Sequence, residues 1–349
     1  MSQLTKTSPI ASTEPVASAL QPPPVIVVGL PRSGTSFMAE VLSSTKDYFV
    51  FDDLYFFRIL KACKVQSYLT DQQLNYVIHR LGWAIRARIK YGRYAVPDLN
   101  LEDVDVLDKA MRSTFVGKKV HWSQFLQEWM VRLARHHNKE CWGYKCPSDL
   151  FRWNTINHVF PGARFIFVHR DPRDMLASMK HVAPNDGNPL QYHPIAYALY
   201  WRRAAETAEQ MQQKINKRSL AVDFESLVSD TDEIIRRLKL FLDTDVFDKC
   251  LRSGTGCRLP NSSFEGKKRK TLSPLEKWLT EKIVGRHLRS WGYAPGSGRF
   301  RWRDVPEVSR ISVRFAVFQA KRFYARPEGR VAIQRYLSSL FQPRSMKHK

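Results

Sequence analysis

Between Gly29 and Ser36 the chain reads Gly29-Leu30-Pro31-Arg32-Ser33-Gly34-Thr35-Ser36, and the chemistry such a segment can do is anion binding. Where a turn of this kind joins a strand to a helix, successive backbone N–H groups converge on one point, and the helix N-terminus adds its partial positive charge. Arg32 supplies a full cation. A Walker A loop needs Lys directly before its last Ser or Thr, and Thr35 stands there, which counts against an ATPase or kinase. No Gly-x-Gly-x-x-Gly dinucleotide fingerprint is present. A second segment, Phe167-Val168-His169-Arg170-Asp171-Pro172-Arg173-Asp174, ends an apolar run on Arg170 and places Ser178 eight residues after it. A guanidinium grips a phosphate through two hydrogen bonds, and a hydroxyl donates another. The alternatives without function are a salt bridge from Arg170 to Asp171 or Asp174, and a helix hydroxyl at Ser178 bonding the preceding turn.

Both segments need strands behind them. Val25 to Val28 is a β-branched run bounded by Pro24 and Gly29, the pattern of a strand buried on both faces, and Thr35 to Ser44 has helical spacing. Further strands are expected at Cys141 to Lys145, Ala163 to His169 and Ser219 to Asp223. Helices are expected at Ser148 to Val159, from Asp171-Pro172 to His181, Pro194 to Asn216, Asp232 to Leu242, and from Ser273-Pro274 to about Ser290. This alternation predicts an α/β fold, a parallel sheet flanked by helices. The block from Phe49 to Asn138 reads as mostly helical. Its rings, Tyr55, Phe56, Phe57, Trp83, Phe115, Trp122 and Trp129, either fill a core between helices or wall an acceptor pocket.

The ordered pair of motifs resembles the two nucleotide-binding motifs of sulfotransferases that use 3′-phosphoadenosine 5′-phosphosulfate (PAPS). The likeness runs from Val25 to about Pro295 and includes Lys145-Cys146-Pro147, Phe160-Pro161-Gly162-Ala163-Arg164 and Phe241-Leu242. It implies a P-loop NTPase-like sulfotransferase fold and a first loop, Pro31, Arg32, Ser33, Gly34, Thr35 and Ser36, that holds the 5′-phosphosulfate. Arg170 and Ser178 then hold the 3′-phosphate, and no metal is required. Sulfuryl transfer passes through a loose state with charge on the bridging oxygen, which Arg32 and Lys145 are expected to neutralise. A hydroxyl acceptor also needs a base. Small-molecule cytosolic enzymes place a His soon after the strand lysine, whereas Cys146, Pro147, Ser148 and Asp149 follow Lys145 here. The Golgi protein-tyrosine branch uses a Glu of an acidic pair downstream of the loop Arg, a place held here by Asp52-Asp53. Asp53 is the expected base, with Asp149 and His181 in reserve; Asp52 and Asp53 as caps of a helix near Leu54 remain the alternative. Tyr200 and Trp201 are candidates to stack on adenine. The segment with Ser262-Ser263 and Lys267 to Lys270 resembles the family's late basic loop, and a solvated charge run reads equally well there.

The 349 residues carry a formal charge of +23, with 43% hydrophobic residues, enough to bury a core. Residues 1–24 read as a disordered leader, 25–296 as a sulfotransferase domain with a helical acceptor-pocket insertion at about 49–138, and 297–349 as a basic C-terminal extension. From Arg299 to Lys349 there are 13 Lys and Arg against 3 Asp and Glu. That tail is either a solvated surface or a peripheral contact to an anionic membrane or polyanion. Five cysteines without a CxxC pair, no apolar run of the ~18 residues that span a bilayer, and no signal-peptide pattern point to a soluble cytoplasmic enzyme. The expected acceptor is a hydroxyl of a carbohydrate, lipid or small molecule, and no nucleic acid is expected. The competing readings are a kinase-like ATP enzyme and a non-catalytic module that binds polyanions or membranes.

Overall fold

A computed structural model describes residues 22–91, 99–182, 192–244 and 271–325. Most of the expected leader, the segment with Ser262, Ser263 and Lys267 to Lys270, and the tail beyond residue 325 lie outside the described residues. The first strand, β1 (Val25–Gly29), is buried at every position. It leads through the loop to α1 (Thr35–Ser43) and β2 (Tyr48–Phe51). Next come α2 (Phe56–Ala62), the short strand β3 (Tyr68–Leu69), α3 (Asp71–Tyr91), α4 (Leu101–Phe115), β4 (Val120–His121) and α5 (Trp122–His136). The chain returns to the sheet as β5 (Cys141–Lys145). A 3-10 turn at Pro147–Arg152 and α6 (Trp153–Val159) divide what the sequence reads as one helix.

The rest alternates as β6 (Arg164–His169), α7 (Pro172–Val182), α8 (Pro194–Ile215), β7 (Ser219–Asp223), α9 (Phe224–Ser229) and α10 (Thr231–Leu242). After residue 271 follow α11 (Pro274–Val284), α12 (His287–Ser290) and α13 (Val305–Ala325). The main sheet has the order β2-β5-β1-β6-β7, with every pair parallel. It is the expected α/β architecture with one strand more than the sequence shows. All of Tyr48–Phe51 but its first residue lies inside the block read as helical, yet all four residues are buried and pair with Cys141–Tyr144. Four residues are too few to separate the periods of strand and helix.

Side chains of β1 alternate between two cores, as a buried strand requires. Ile26 and Val28 face the larger one, with Trp129, Phe165 and Trp201; Val25 and Val27 face Met38, Leu42, Ile234 and Leu238. Phe56, Trp122, Phe125 and Trp129 are buried in the first core, so these rings fill the space between helices rather than line a pocket. Among the described residues no helix is long and apolar enough to cross a membrane.

Candidate active site

In an open parallel sheet, ligands sit beyond the carboxyl ends of the strands, where the strand order reverses. That point is β1, with β5 on one side and β6 on the other. The register pairs Val27 with Lys145 and Gly29 with Val168, so the ends of three strands deliver Arg32, Lys145 and Arg170 to one edge.

The loop after β1 is locked to β6. A Cβ on Gly29 would lie 2.3 Å from the Val168 carbonyl oxygen, so only glycine lets the chain approach that closely. The Ser33 hydroxyl lies 2.6 Å from the Leu30 carbonyl and 3.0 Å from that of Val168, and accepts from the Leu30 N–H. Ser33 therefore spends its side chain on the shape of the loop. Arg32 takes a left-handed backbone with φ 70° and Gly34 with φ 89°, and such strain at a non-glycine residue is typical of ligand-gripping turns. Helix α1 opens on Gly34 with no capping side chain and no acidic residue in its first turn, leaving the N–H groups near Thr35 and Ser36 directed at the site.

The second motif meets the first. Arg32 Nε donates to Ser178 Oγ at 3.1 Å, and Arg170 Nη1 donates to the Arg32 carbonyl at 3.3 Å. Ser178, on α7, is buried, as is Arg170. The Arg170 guanidinium lies 4.3 Å from the Phe224 ring centroid, and Trp201 Nε1 donates to the Arg170 carbonyl at 2.9 Å. Trp201 is thus a buried support for the loop and presents no face to an adenine. Asp171 engages Arg173 at 2.5 Å, and Arg173 also reaches Glu281 at 2.9 Å. Phe224 is a residue the sequence does not single out. Its ring lies under Arg170, and a Cβ on Gly34 would come within 2.2 Å of it, so one aromatic sets the spacing of both motifs.

At the end of β5, Lys145 is buried with its Nζ 2.7 Å from Asp52 Oδ1 and 2.5 Å from Asp53 Oδ1. Burial opposes the ammonium charge, but the two carboxylates outweigh it and raise the Lys145 pKa. Burial also raises that of Asp52, with Lys145 pulling the other way. Arg88 of α3 donates to the Asp52 and Asp53 carbonyl oxygens at 2.6 and 3.3 Å, and Tyr55 OH donates to Asp53 Oδ1 at 3.2 Å. The acidic pair does not cap a helix, since α2 begins at Phe56 after Tyr55 with no side-chain cap. Of the reserves, Asp149 is buried between Tyr144 OH at 3.3 Å and Arg152 at 3.7 Å, and His181 is buried in α7.

Beside Arg170, His169 Nδ1 lies 2.7 Å from Tyr293 OH, and Glu225 accepts from the Asp171 N–H at 3.2 Å. Burial drives the His169 pKa down to about 4, with Asp223 opposing. The fold keeps this imidazole neutral, while the unfolded chain takes up a proton below its ordinary value of about 6.5. Its stabilising contribution is therefore complete above pH 6.5 and declines as the pH falls toward 4. Asp149, pushed by burial up to about 6, acts oppositely: its contribution declines as the pH rises from its ordinary carboxylate value to 6. His169→Gln is expected to remove an acid-side loss of about 3 kcal/mol between pH 6.5 and 4. Urea titrations across that range measure it, and an unchanged pH slope would show that His169 titrates normally.

Among the described residues no group of three His, Cys, Asp or Glu is placed to hold a metal ion. A parallel sheet flanked by helices, with a glycine-bearing turn joining its central strand to an uncapped helix, is the architecture of a P-loop-like fold. The family model for the sulfotransferase family matches residues 23–249, and the chain belongs to that family. It is 23% identical over 270 residues to the protein-tyrosine sulfotransferase of Drosophila melanogaster, a match covering 75% of this chain and 47% of that protein. The chain thus spans about half the length of this curated relative. Among solved structures it resembles the sulfotransferase domain of the Synechococcus PCC 7002 olefin synthase, with TM-score 0.53 and 17% identity over 80% of this chain and 98% of that domain. The sulfotransferase domain of the curacin biosynthetic pathway gives TM-score 0.50 and 14% identity over 79% and 99%. These structural likenesses speak for the fold.

Proposed function

We propose that the protein transfers a sulfuryl group from PAPS to a hydroxyl of a carbohydrate, lipid or other metabolite. The observation that carries this reading is the meeting of Arg32, Arg170 and Ser178, 138 and 146 residues apart in sequence, in one hydrogen-bonded cluster at the ends of β1 and β6. A bisphosphorylated nucleotide needs two anion sites held at a fixed distance, and the contacts between the two motifs support placing them at this edge of the sheet.

In the proposed reaction the acceptor oxygen bonds to sulfur as the bond from sulfur to the nucleotide's bridging oxygen breaks, releasing 3′,5′-ADP. Asp53 takes the acceptor proton. Arg32 and Lys145 neutralise charge on the departing oxygen, and Thr35, Ser36 and the loop N–H groups hold the 5′-phosphate. Arg170 and Ser178 hold the 3′-phosphate. Tyr55, partly exposed beside Asp53, offers an aromatic face to the acceptor. A tyrosine hydroxyl is a second acceptor reading, favoured by the Drosophila relative's name.

Thermal-shift titration with 3′,5′-ADP, followed by mass spectrometry for +SO₃ products after incubating glycan, lipid and peptide extracts with PAPS, tests the proposal. Stabilisation and a sulfated product are expected. No stabilisation at millimolar nucleotide would refute the donor. In the same assay Phe224→Leu is expected to weaken 3′,5′-ADP binding about tenfold, by removing the ring beneath Arg170 and loosening its spacing from Gly34. Calorimetry at equal folded fraction measures this, and unchanged affinity would reduce Phe224 to ordinary core.

A further inference from the structure

The donor site uses little of the chain's positive charge, and six further cations, Arg299, Arg301, Arg303, Arg310, Arg314 and Lys321, lie among exposed apolar residues near the end of the described chain. Residues Arg299 to Arg303 read Arg-Phe-Arg-Trp-Arg. Trp302 is 78% exposed and Phe300 43%. Their rings meet edge-on at 4.8 Å, and Phe300 meets Trp278 of α11 at 5.3 Å. This cluster leads directly into α13. One face of that helix, Val308, Ile311, Ser312 and Phe315, rests on the body of the protein: Ser312 Oγ lies 3.0 Å from His193 Nε2, and Phe315 packs on the His193 ring at 4.8 Å.

Half a turn away, the same helix presents Pro306, Arg310, Val313, Arg314, Val317 and Lys321, all exposed. Val313 is 65% exposed and Val317 50%. Glu307, at the margin of this stripe, lies 3.9 Å from Arg310. A helix face turned to water normally carries charges of both signs with few apolar residues. Here valines alternate with cations of one sign, and the largely exposed Trp302 precedes the helix.

We propose that the Phe300–Trp302 cluster and the outward face of α13 form a docking surface for an anionic lipid bilayer. Indole rings settle at the level of lipid headgroups because one edge is polar and the rest apolar. Arg and Lys bury their stems beside the valines while their heads reach lipid phosphates. A bilayer accommodates a protruding indole anywhere on its surface, whereas a protein partner needs a matching pocket. Charge complementarity with an anionic leaflet supplies the remaining attraction. The chain beyond α13 adds six more Lys and Arg against one acidic residue. Docking in this way would hold the enzyme at a lipid surface, and the inference does not depend on the identity of the sulfuryl donor.

The test is co-sedimentation of the full chain with vesicles of phosphatidylcholine alone and vesicles rich in phosphatidylserine, with 3′,5′-ADP thermal shift as a control for folding. Binding is expected to the anionic vesicles and to weaken as salt rises. The combined change Arg310→Glu, Arg314→Glu and Lys321→Glu is expected to reduce it on the order of a hundredfold, and Trp302→Ala on the order of tenfold. Melting temperature and nucleotide shift should stay as in the parent. Three results would overturn the proposal: no binding to anionic vesicles, equal binding to both vesicle types, or binding that survives both the charge reversal and Trp302→Ala. Retention on heparin without vesicle binding would overturn it too, by assigning the stripe to a soluble polyanion.

Discussion

Replacing Lys145 with methionine is expected to lower kcat by on the order of 10² to 10³, about 3 to 4 kcal/mol of transition-state stabilisation, with a much smaller effect on nucleotide affinity. Lys145 ends β5, the strand beside β1, and its ammonium is buried. In the proposed reaction a cation fixed there would meet a charge that appears only as the sulfuryl group departs, and so would stabilise the transition state more than the bound donor. The lysine is also the partner of Asp52 and Asp53 at 2.7 and 2.5 Å, and its removal leaves two partly buried carboxylates facing one another. Loss of a buried ion-pair partner costs about 3 kcal/mol or more of stability. That loss must be kept apart from the catalytic effect. The double variant Lys145→Met with Asp52→Asn relieves the repulsion without restoring the cation. Single-turnover rates at saturating PAPS, corrected for folded fraction, should stay low in both variants. Recovery of the rate in the double variant would assign Lys145 to architecture alone.

The legibility of this protein in its sequence follows the range over which each signal acts. The loop from Gly29 to Ser36 and the segment around Arg170 are local patterns, each written across a strand end and a helix start, and they stand where the sequence places them. Helices α3, α5, α8 and α10 are long enough for their period to be counted. Strand β2 is not: four consecutive buried residues show no alternation, and its pairing with β5 is a property of the sheet. The same limit explains Phe224. Nothing in Asp223-Phe224-Glu225 marks a residue that supports both Gly34 and Arg170, because its neighbours come from the segments after β1 and β6, far away in the chain. Trp201 is a related case. Its type suggests a stacking surface, and only its burial shows that its N–H is committed to the Arg170 carbonyl. Asp52 and Asp53 precede a helix closely enough to suggest caps, but a long-range partner, Lys145, takes their carboxylates instead.

Arg170→Ala is expected to weaken binding of 3′,5′-ADP on the order of a hundredfold, about 3 kcal/mol, and to raise KM for PAPS in parallel while kcat at saturation falls far less. The reason is where its charge sits. The 3′-phosphate takes no part in bond making, so a group that holds it binds ground state and transition state alike. Arg170 is fixed by Phe224 at 4.3 Å, by Trp201 at its carbonyl and by the Arg32 carbonyl at 3.3 Å. Such a guanidinium loses little freedom when it meets its phosphate. Arg170→Lys keeps the charge but not the planar fork, and should fall between Ala and the parent. The decisive comparison uses 5′-AMP, which has no 3′-phosphate: its weak binding should be nearly the same in the parent and in Arg170→Ala. If the two nucleotides lose affinity equally, Arg170 acts by shaping the loop through Arg32 rather than by gripping the 3′-phosphate.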